Sequence, residues 1–207
     1  MYTPAHFALT DSEGLHDLIR SHPLGTLVTQ TEGHLDANHI PFLLDAEPGE
    51  PGTLTAHVAR ANPVWQQCRD GAQVLVIFRG AEGYISPGWY PSKQETHRLV
   101  PTWNYEAVHV HGHLTVHDDE KFVRGVVGRL TRLHESTQTT PWKMSDSPRE
   151  FIDSMLEAIV GLQIRITRLE GKAKLSQNRE ARDLQGAATA LRARGGTALA
   201  QAMDAAK

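Results

Sequence analysis

The chain has 207 residues, 40% of them hydrophobic, with a formal net charge of −3 at pH 7 and a pI near 6.4. That is enough apolar material for the core of one domain, and the slightly acidic balance excludes a generally basic nucleic-acid face while leaving a local patch open. The one cysteine, Cys68, excludes an intrachain disulfide and a cysteine-rich zinc site, and no stretch approaches the roughly 20 apolar residues of a membrane span.

The amino-terminal MYTPAHFALTDSEG lacks the basic and apolar regions of a secretion signal, so a soluble cytoplasmic protein without membrane contact is expected. Thr10-x-x-Glu13 reads as a capping box opening a short helix with Leu15, Leu18 and Ile19 on one side, ended by His22-Pro23. The pattern then turns to β. Residues 25–31 and 34–44 flank the turn-like Glu32-Gly33 as a hairpin, and a third strand over Thr53–Ala59 follows the loop EPGEPG. Asn62-Pro63 looks like the cap and first-turn proline of a short helix carrying Val64, Trp65 and Cys68, and residues 72–78 form an apolar run suited to a covered strand.

Residues 84–112 hold two of the four tryptophans and three of the four tyrosines, and Pro87, Pro91 and Pro101 keep them off an ordinary helix stripe. Tyr84, Trp89, Tyr90, Trp103 and Tyr105 could wall a ligand pocket, with Lys93 and Thr102 as polar anchors, or form a contact between subunits. Residues 107–117 alternate, with Val108, Val110, Leu114 and Val116 on one face and His109, His111, His113 and His117 on the other. Neighbours on one strand face lie roughly 7 Å apart, so this row predicts a polar face and no metal site. Phe122, Val126, Leu130 and Leu133 mark an amphipathic helix, and Ser147-Pro148-x-Glu150 opens another with Phe151, Ile152, Met155 and Leu156. Residues 162–167 alternate as a strand. From about Glu180 the chain is alanine- and arginine-rich and helical in pattern, broken at Gly195-Gly196. A mostly antiparallel α+β barrel or sandwich results, with a main domain over 1–179 and a helical extension over 180–207.

Two further segments carry candidate chemistry. In AHVARANP a strand ends at Arg60 and a helix begins at Asn62, which suits a phosphate or is a plain turn. KAKLSQNR offers Lys174, Ser176, Gln177, Asn178 and Arg179 almost consecutively, as ligand donors or as a loop whose Ser176 or Asn178 caps the last helices. No Gly-rich phosphate loop, nucleophile elbow or HExxH pattern is present, so catalytic residues are not assigned.

The start MYTPAHF, the segment AHVARANPVW, the block YISPGWYPSK…VPTWNYEAVHVHG and the tail motif KLSQNR, in that order from Met1 to Arg179, resemble the PaiB family of FMN-binding negative transcriptional regulators. The resemblance implies a split β-barrel like that of pyridoxamine phosphate oxidase, with peripheral helices, a homodimer and FMN as cofactor. It implies Arg60 and Lys93 at the phosphate, with hydrogen bonds from Ser92 and Thr102, and the helix start read above at Asn62 is a further cofactor-binding candidate. Trp103 and Asn104 would lie by the flavin, with Gln177 arriving from the tail motif. It also implies repression of transcription, for which the only basic segment is Arg179, Arg182, Arg192 and Arg194. The alternatives are a flavin-dependent oxidoreductase acting on a small molecule and a haem-binding or haem-degrading protein. The family's motif often continues NRP, where this chain has Glu180.

Overall fold

The computed structural model describes residues 1–206 except Glu32 and Pro48, and at Thr96 the backbone alone. The strands are β1 (Ala8–Leu9), β2 (Leu24–Thr31), β3 (His34–Pro41), β4 (Leu43–Asp45), β5 (Thr53–Ala59), β6 (Gln73–Ile85), β7 (Thr102–His117) and β8 (Ile159–Lys174). The helices are α1 (Ser12–Ser21), α2 (Val64–Gln67), α3 (Lys93–Thr96), α4 (Glu120–Glu135), α5 (Arg149–Glu157), α6 (Ala181–Arg192) and α7 (Thr197–Ala205). The strands form one sheet in the order β3-β2-β6-β7-β8-β5-β4, with β1 beside β8. Its registered pairs are antiparallel, as Thr53↔Arg165 to Ala59↔Ile159 illustrate. The two ends of the path, β3 and β4, are separated in the chain by Phe42 alone, yet among the described residues no ladder joins them. Among the described residues the sheet is not closed into a hydrogen-bonded barrel.

The chain divides into two compact units. The first comprises Met1–His22, Phe78–His109 and Glu170–Lys207, and the second Pro23–Ile77 and Val110–Leu169. In the second unit, alternation along the strands leaves Leu27, Leu54, Val76, Val110, Leu114, Leu162 and Ile164 with no exposed surface. Helix α4 starts on Asp119, whose carboxylate accepts from Phe122 N at 2.8 Å, and buries Val123, Val126 and Leu130. Leu133 is exposed, because the buried stripe follows 123, 126 and 130 and not 122 and 133. In α5 only Ile152 and Leu156 are buried, while Phe151 and Met155 face solvent.

The first unit is built around its carboxy-terminal helices. Leu184, Ala187, Ala188 and Leu191 of α6 and Leu199, Ala200 and Met203 of α7 share one apolar cluster with Ile85, Tyr90 and Leu175. Small residues bring α6 close to the aromatic block: a Cβ on Gly186 would lie 2.5 Å from Trp89 O. Gly195, at φ 83°, makes the turn into α7.

Several local expectations shift by a residue or two. Asp11, not Thr10, caps α1, accepting from Gly14 N at 2.8 Å. Neither Ser147 nor the tail motif supplies a side-chain cap, since Pro148 and Glu180 hold the N-cap positions of α5 and α6. Gly33 takes the positive φ of 83° that the expected hairpin turn needs, while its neighbour Glu32 and Pro48 of the EPGEPG loop lie outside the described residues.

Candidate functional site

In the second unit, Arg60 follows the last residue of β5 and is held on every side of its guanidinium. Nη1 and Nη2 donate to the two carboxylate oxygens of Asp118 at 3.0 and 2.6 Å, and Nε donates to Glu157 O at 2.7 Å. The guanidinium also lies 5.7 Å from the Trp65 ring centre. The pair shifts both partners in the expected sense: Asp118 holds Arg60 above its ordinary range, and Arg60 pulls the Asp118 carboxyl below its own. A pocket of about 140 Å³ opens beside them, and its lining adds Asp119, Glu120, Asp153 and Glu157. An anion reaching Arg60 here meets carboxylates first. Pro63, not Asn62, holds the N-cap position of α2; Asn62 stands one residue earlier, its Oδ1 accepting from Val64 N at 3.0 Å and its Nδ2 donating to Asn38 Oδ1 at 2.7 Å.

The other six expected site residues belong to the first unit, and there β8 and the tail motif gather most of them. The Lys174 ammonium donates to Thr102 Oγ1 and, at 2.6 Å, to Trp103 O, while the Trp103 indole remains 56% exposed. Asn104 is fully buried. Its Nδ2 donates to Ser176 Oγ at 2.9 Å, and Ser176 Oγ lies 3.3 Å from Tyr90 Oη. Its Oδ1 is buried with no donor among the described residues. Ser176 itself adopts φ 68°, a left-handed conformation uncommon for serine that here sits at the turn of the tail motif. Gln177 folds back on the end of β8, accepting from Leu175 N at 2.7 Å and donating to Ala173 O at 2.5 Å. Ser92 is buried against the first turn of α6, where Asp183 accepts from its amide at 2.9 Å and its hydroxyl at 2.5 Å. Lys93, half-buried at the start of α3, makes no side-chain hydrogen bond or ion pair among the described residues.

Sequence reasoning missed Asp183, a buried carboxylate whose only signal was an acid in the first turn of a helix. Lys174 and Ser176, offered by the KAKLSQNR segment as candidate donors, are the residues that reach Thr102, Trp103 and Asn104, whereas the family resemblance singles out Gln177. Each described partner of the histidine row is separate: His113 Nδ1 meets Gly71 O at 3.0 Å, His111 Nε2 meets Arg168 at 3.0 Å, and His117 meets Gln163 at 3.1 Å and stacks on Phe122.

These groups suit a planar, phosphorylated cofactor. Taken singly, and among the described residues, a buried acceptor without a donor (Asn104 Oδ1), an exposed tryptophan (Trp103) and an unpaired ammonium (Lys93) have the chemistry to meet a ring N–H, a ring plane and a phosphate.

The family model described as "Putative FMN-binding domain" matches residues 1–168. The chain is 31% identical to the protease synthase and sporulation protein PAI 2 of Bacillus subtilis, over 88% of this chain and 85% of that one. It is 33% identical to an uncharacterized protein of Aspergillus fumigatus, over 90% and 88% of the two chains. Among solved structures it is similar to the FAD and heme binding protein from Mycobacterium smegmatis, with a TM-score of 0.60 and 21% identity over 87% of this chain and 79% of that one. A conserved hypothetical protein from Mycobacterium tuberculosis gives a TM-score of 0.59 and 14% identity, over 87% and 94%. The structural likenesses carry the fold, and the family match carries the cofactor. The chain belongs to the PaiB family of FMN-binding proteins, with their split-barrel fold and with FMN as its cofactor.

Proposed function

We propose that the chain is a cytoplasmic, homodimeric regulator whose activity responds to bound FMN. The family match carries the cofactor, and the observation in this chain that supports a buried ligand contact is the Asn104 carbonyl, buried without a donor among the described residues. Bound FMN would supply one- or two-electron redox chemistry. The chain's own residues would hold and orient it. Lys93 offers its ammonium to the phosphate. Arg60 is assigned to a phosphate by the family resemblance alone and would have to exchange Asp118 for it, with Asn62 holding the turn that follows. Thr102, Trp103 and Asn104 are assigned to the ring and its edge. Ser92 and Gln177 are assigned to its surroundings, and their present bonds to Asp183 and to the β8 backbone make them positioning residues.

The regulatory part of this reading rests on relation to PAI 2 of Bacillus subtilis. Direct DNA contact through the carboxy-terminal arginines finds little support. Arg182 is bound by Glu95 and Glu180, Arg192 by Asp204, Arg194 lies over the Trp89 ring at 5.1 Å, and Arg179 over Tyr90 at 5.5 Å. Two measurements test the proposal. Titrating the purified chain with FMN, followed by flavin fluorescence, should give saturable binding that Lys93→Ala weakens by about tenfold, the worth of one charge-assisted contact. If Lys93→Ala, Arg60→Ala and Asn104→Ala all bind FMN as the parent does, the residue assignment fails. A salt-dependent shift of the protein's own upstream DNA should appear if regulation is direct.

A further inference from the structure

Beyond residue 168, where the family match stops, the first unit carries a cluster of cations with an unusual charge balance. Lys172 and Lys174 are alternate residues of β8 and so share one strand face, and Arg179 follows in the tail motif. Lys172 is 8% exposed, yet its ammonium finds only neutral partners among the described residues. It donates to Tyr2 O at 3.1 Å and lies 5.8 and 5.2 Å from the Tyr2 and Tyr105 ring centres. Lys174 likewise donates to the Thr102 hydroxyl and the Trp103 carbonyl. Arg179 lies over the Tyr90 ring. None of the three has an ion pair among the described residues. The acid that shares their strand face, Glu170, is joined to the amino group of Met1 at 3.0 Å. The three charges also act on one another: burial first, then Lys172 and Arg179, hold the Lys174 ammonium below the ordinary lysine range.

Burying a cation without an anion is unfavourable, and placing further cations beside it compounds the cost. Elsewhere the same chain pairs its arginines with carboxylates, at Arg60, Arg124, Arg129 and Arg182. Here the missing partner has to come from outside.

We propose that Lys172, Lys174 and Arg179 form a binding site for an oxyanion, a phosphate or carboxylate group carried by a small ligand, with Tyr105 and the exposed Trp103 flanking it. The oxyanion has two sources of the same chemistry, the phosphate of the cofactor or a separate small anion. Inorganic phosphate alone probes the site, and an oxyanion that proves to be the cofactor's phosphate replaces the assignment of that phosphate to Lys93 and Arg60.

The full chain, freed of FMN, is titrated with inorganic phosphate in the calorimeter at constant ionic strength. Saturable binding is expected. Lys174→Met and Arg179→Gln should each weaken it by about tenfold or more, as expected for losing a charge-assisted hydrogen bond. Lys174→Arg should restore most of it, and Lys121→Met, the same charge change on the exposed start of α4, should leave it unaltered. The titration is repeated with FMN-loaded and riboflavin-loaded protein. Loss of phosphate binding with FMN but not with riboflavin makes the cofactor's own phosphate the oxyanion, and retention with both makes it a separate ligand. Absence of saturable binding, or equal weakening by Lys174→Met and Lys121→Met, overturns the proposal. Circular dichroism on each variant separates lost binding from lost fold.

Discussion

Arg60 and Lys174 are both cations at the end of a strand, in segments that look equally suited to phosphate, yet the two units treat them oppositely. Around Arg60 the chain supplies Asp118 in a two-pronged pair and further carboxylates along the pocket. Around Lys174 it supplies a hydroxyl, a carbonyl and two more cations. The charge of Arg60 is already answered within the fold, and that of Lys174 is not answered among the described residues. A basic residue at a helix start or strand end is therefore a poor guide to ligand binding until its counter-charges are known.

The strongest way to break this contrast is to loosen the scaffold under the unpaired cluster. Met203 of α7 has no exposed surface and shares the cluster of Tyr90 and Leu175, while its sulfur lies 3.5 Å from Asn104 Nδ2. Met203→Ala should destabilise the chain by roughly 2–5 kcal/mol, the range for truncating a buried methionine. Urea unfolding measures it. A loss well under 1 kcal/mol would mean that the carboxy-terminal helices do not support the aromatic block. Gly186→Ala should act in the same direction by about 1–3 kcal/mol, since its methyl would press on the Trp89 carbonyl.

A second comparison makes one chemical change at two carboxylates. Asp183 is buried and accepts both the amide and the hydroxyl of Ser92. Asp183→Ala removes the carboxylate that accepts from both groups and should cost about 1–3 kcal/mol. Asp118→Ala removes an exposed partner of Arg60 and should barely move the melting temperature. It should instead tighten FMN if Arg60 holds the phosphate, because the competing carboxylate is gone. Unchanged FMN affinity in Asp118→Ala, together with weakened affinity in Arg60→Ala, would show that Asp118 does not compete.

Much of this architecture is legible in the sequence alone. The strand over Thr53–Ala59, the two-helix end broken at Gly195-Gly196 and the alternation through β7 follow from period and punctuation. The family and its cofactor are legible in the ordered motifs. The relation of residues 180–207 to the aromatic block is not, since alanine-rich helices look like an appendage. Only the three-dimensional arrangement shows Ala187, Ala188 and Ala200 packed with no exposed surface beside Ile85 and Tyr90. Counter-charges are illegible for a related reason. Asp118 lies 58 residues from Arg60, and Asp183 lies 91 from Ser92. No local pattern links partners that far apart. The apolar stripes of α4 and α5 are right in period but wide by one position, because Leu133, Phe151 and Met155 satisfy the spacing while facing solvent.

The smallest expected effect concerns pH, and it belongs to the second unit. Burial pushes the His57 imidazole below the usual histidine range, and its Nδ1 is buried without a partner among the described residues. The unfolded chain therefore binds a proton at His57 where the folded chain does not, over a window running from about pH 6.5 downward. Stability should fall as pH drops through that window and level off below the folded value. Asp118, held low by Arg60, adds a loss that begins only near its ordinary carboxylate range and continues below it. Thermal melts from about pH 8 to about pH 3 should thus show two separate limbs. His57→Gln should flatten the upper limb and leave the lower one, while Asp118→Asn should leave the upper limb and reduce the lower one only slightly, because Asp118 is exposed and Glu95, held low by Arg182, adds to the same limb. If His57→Gln leaves the upper limb unchanged, then His57 takes up a proton as readily in the folded chain as in the unfolded one, and its burial carries no penalty for charge.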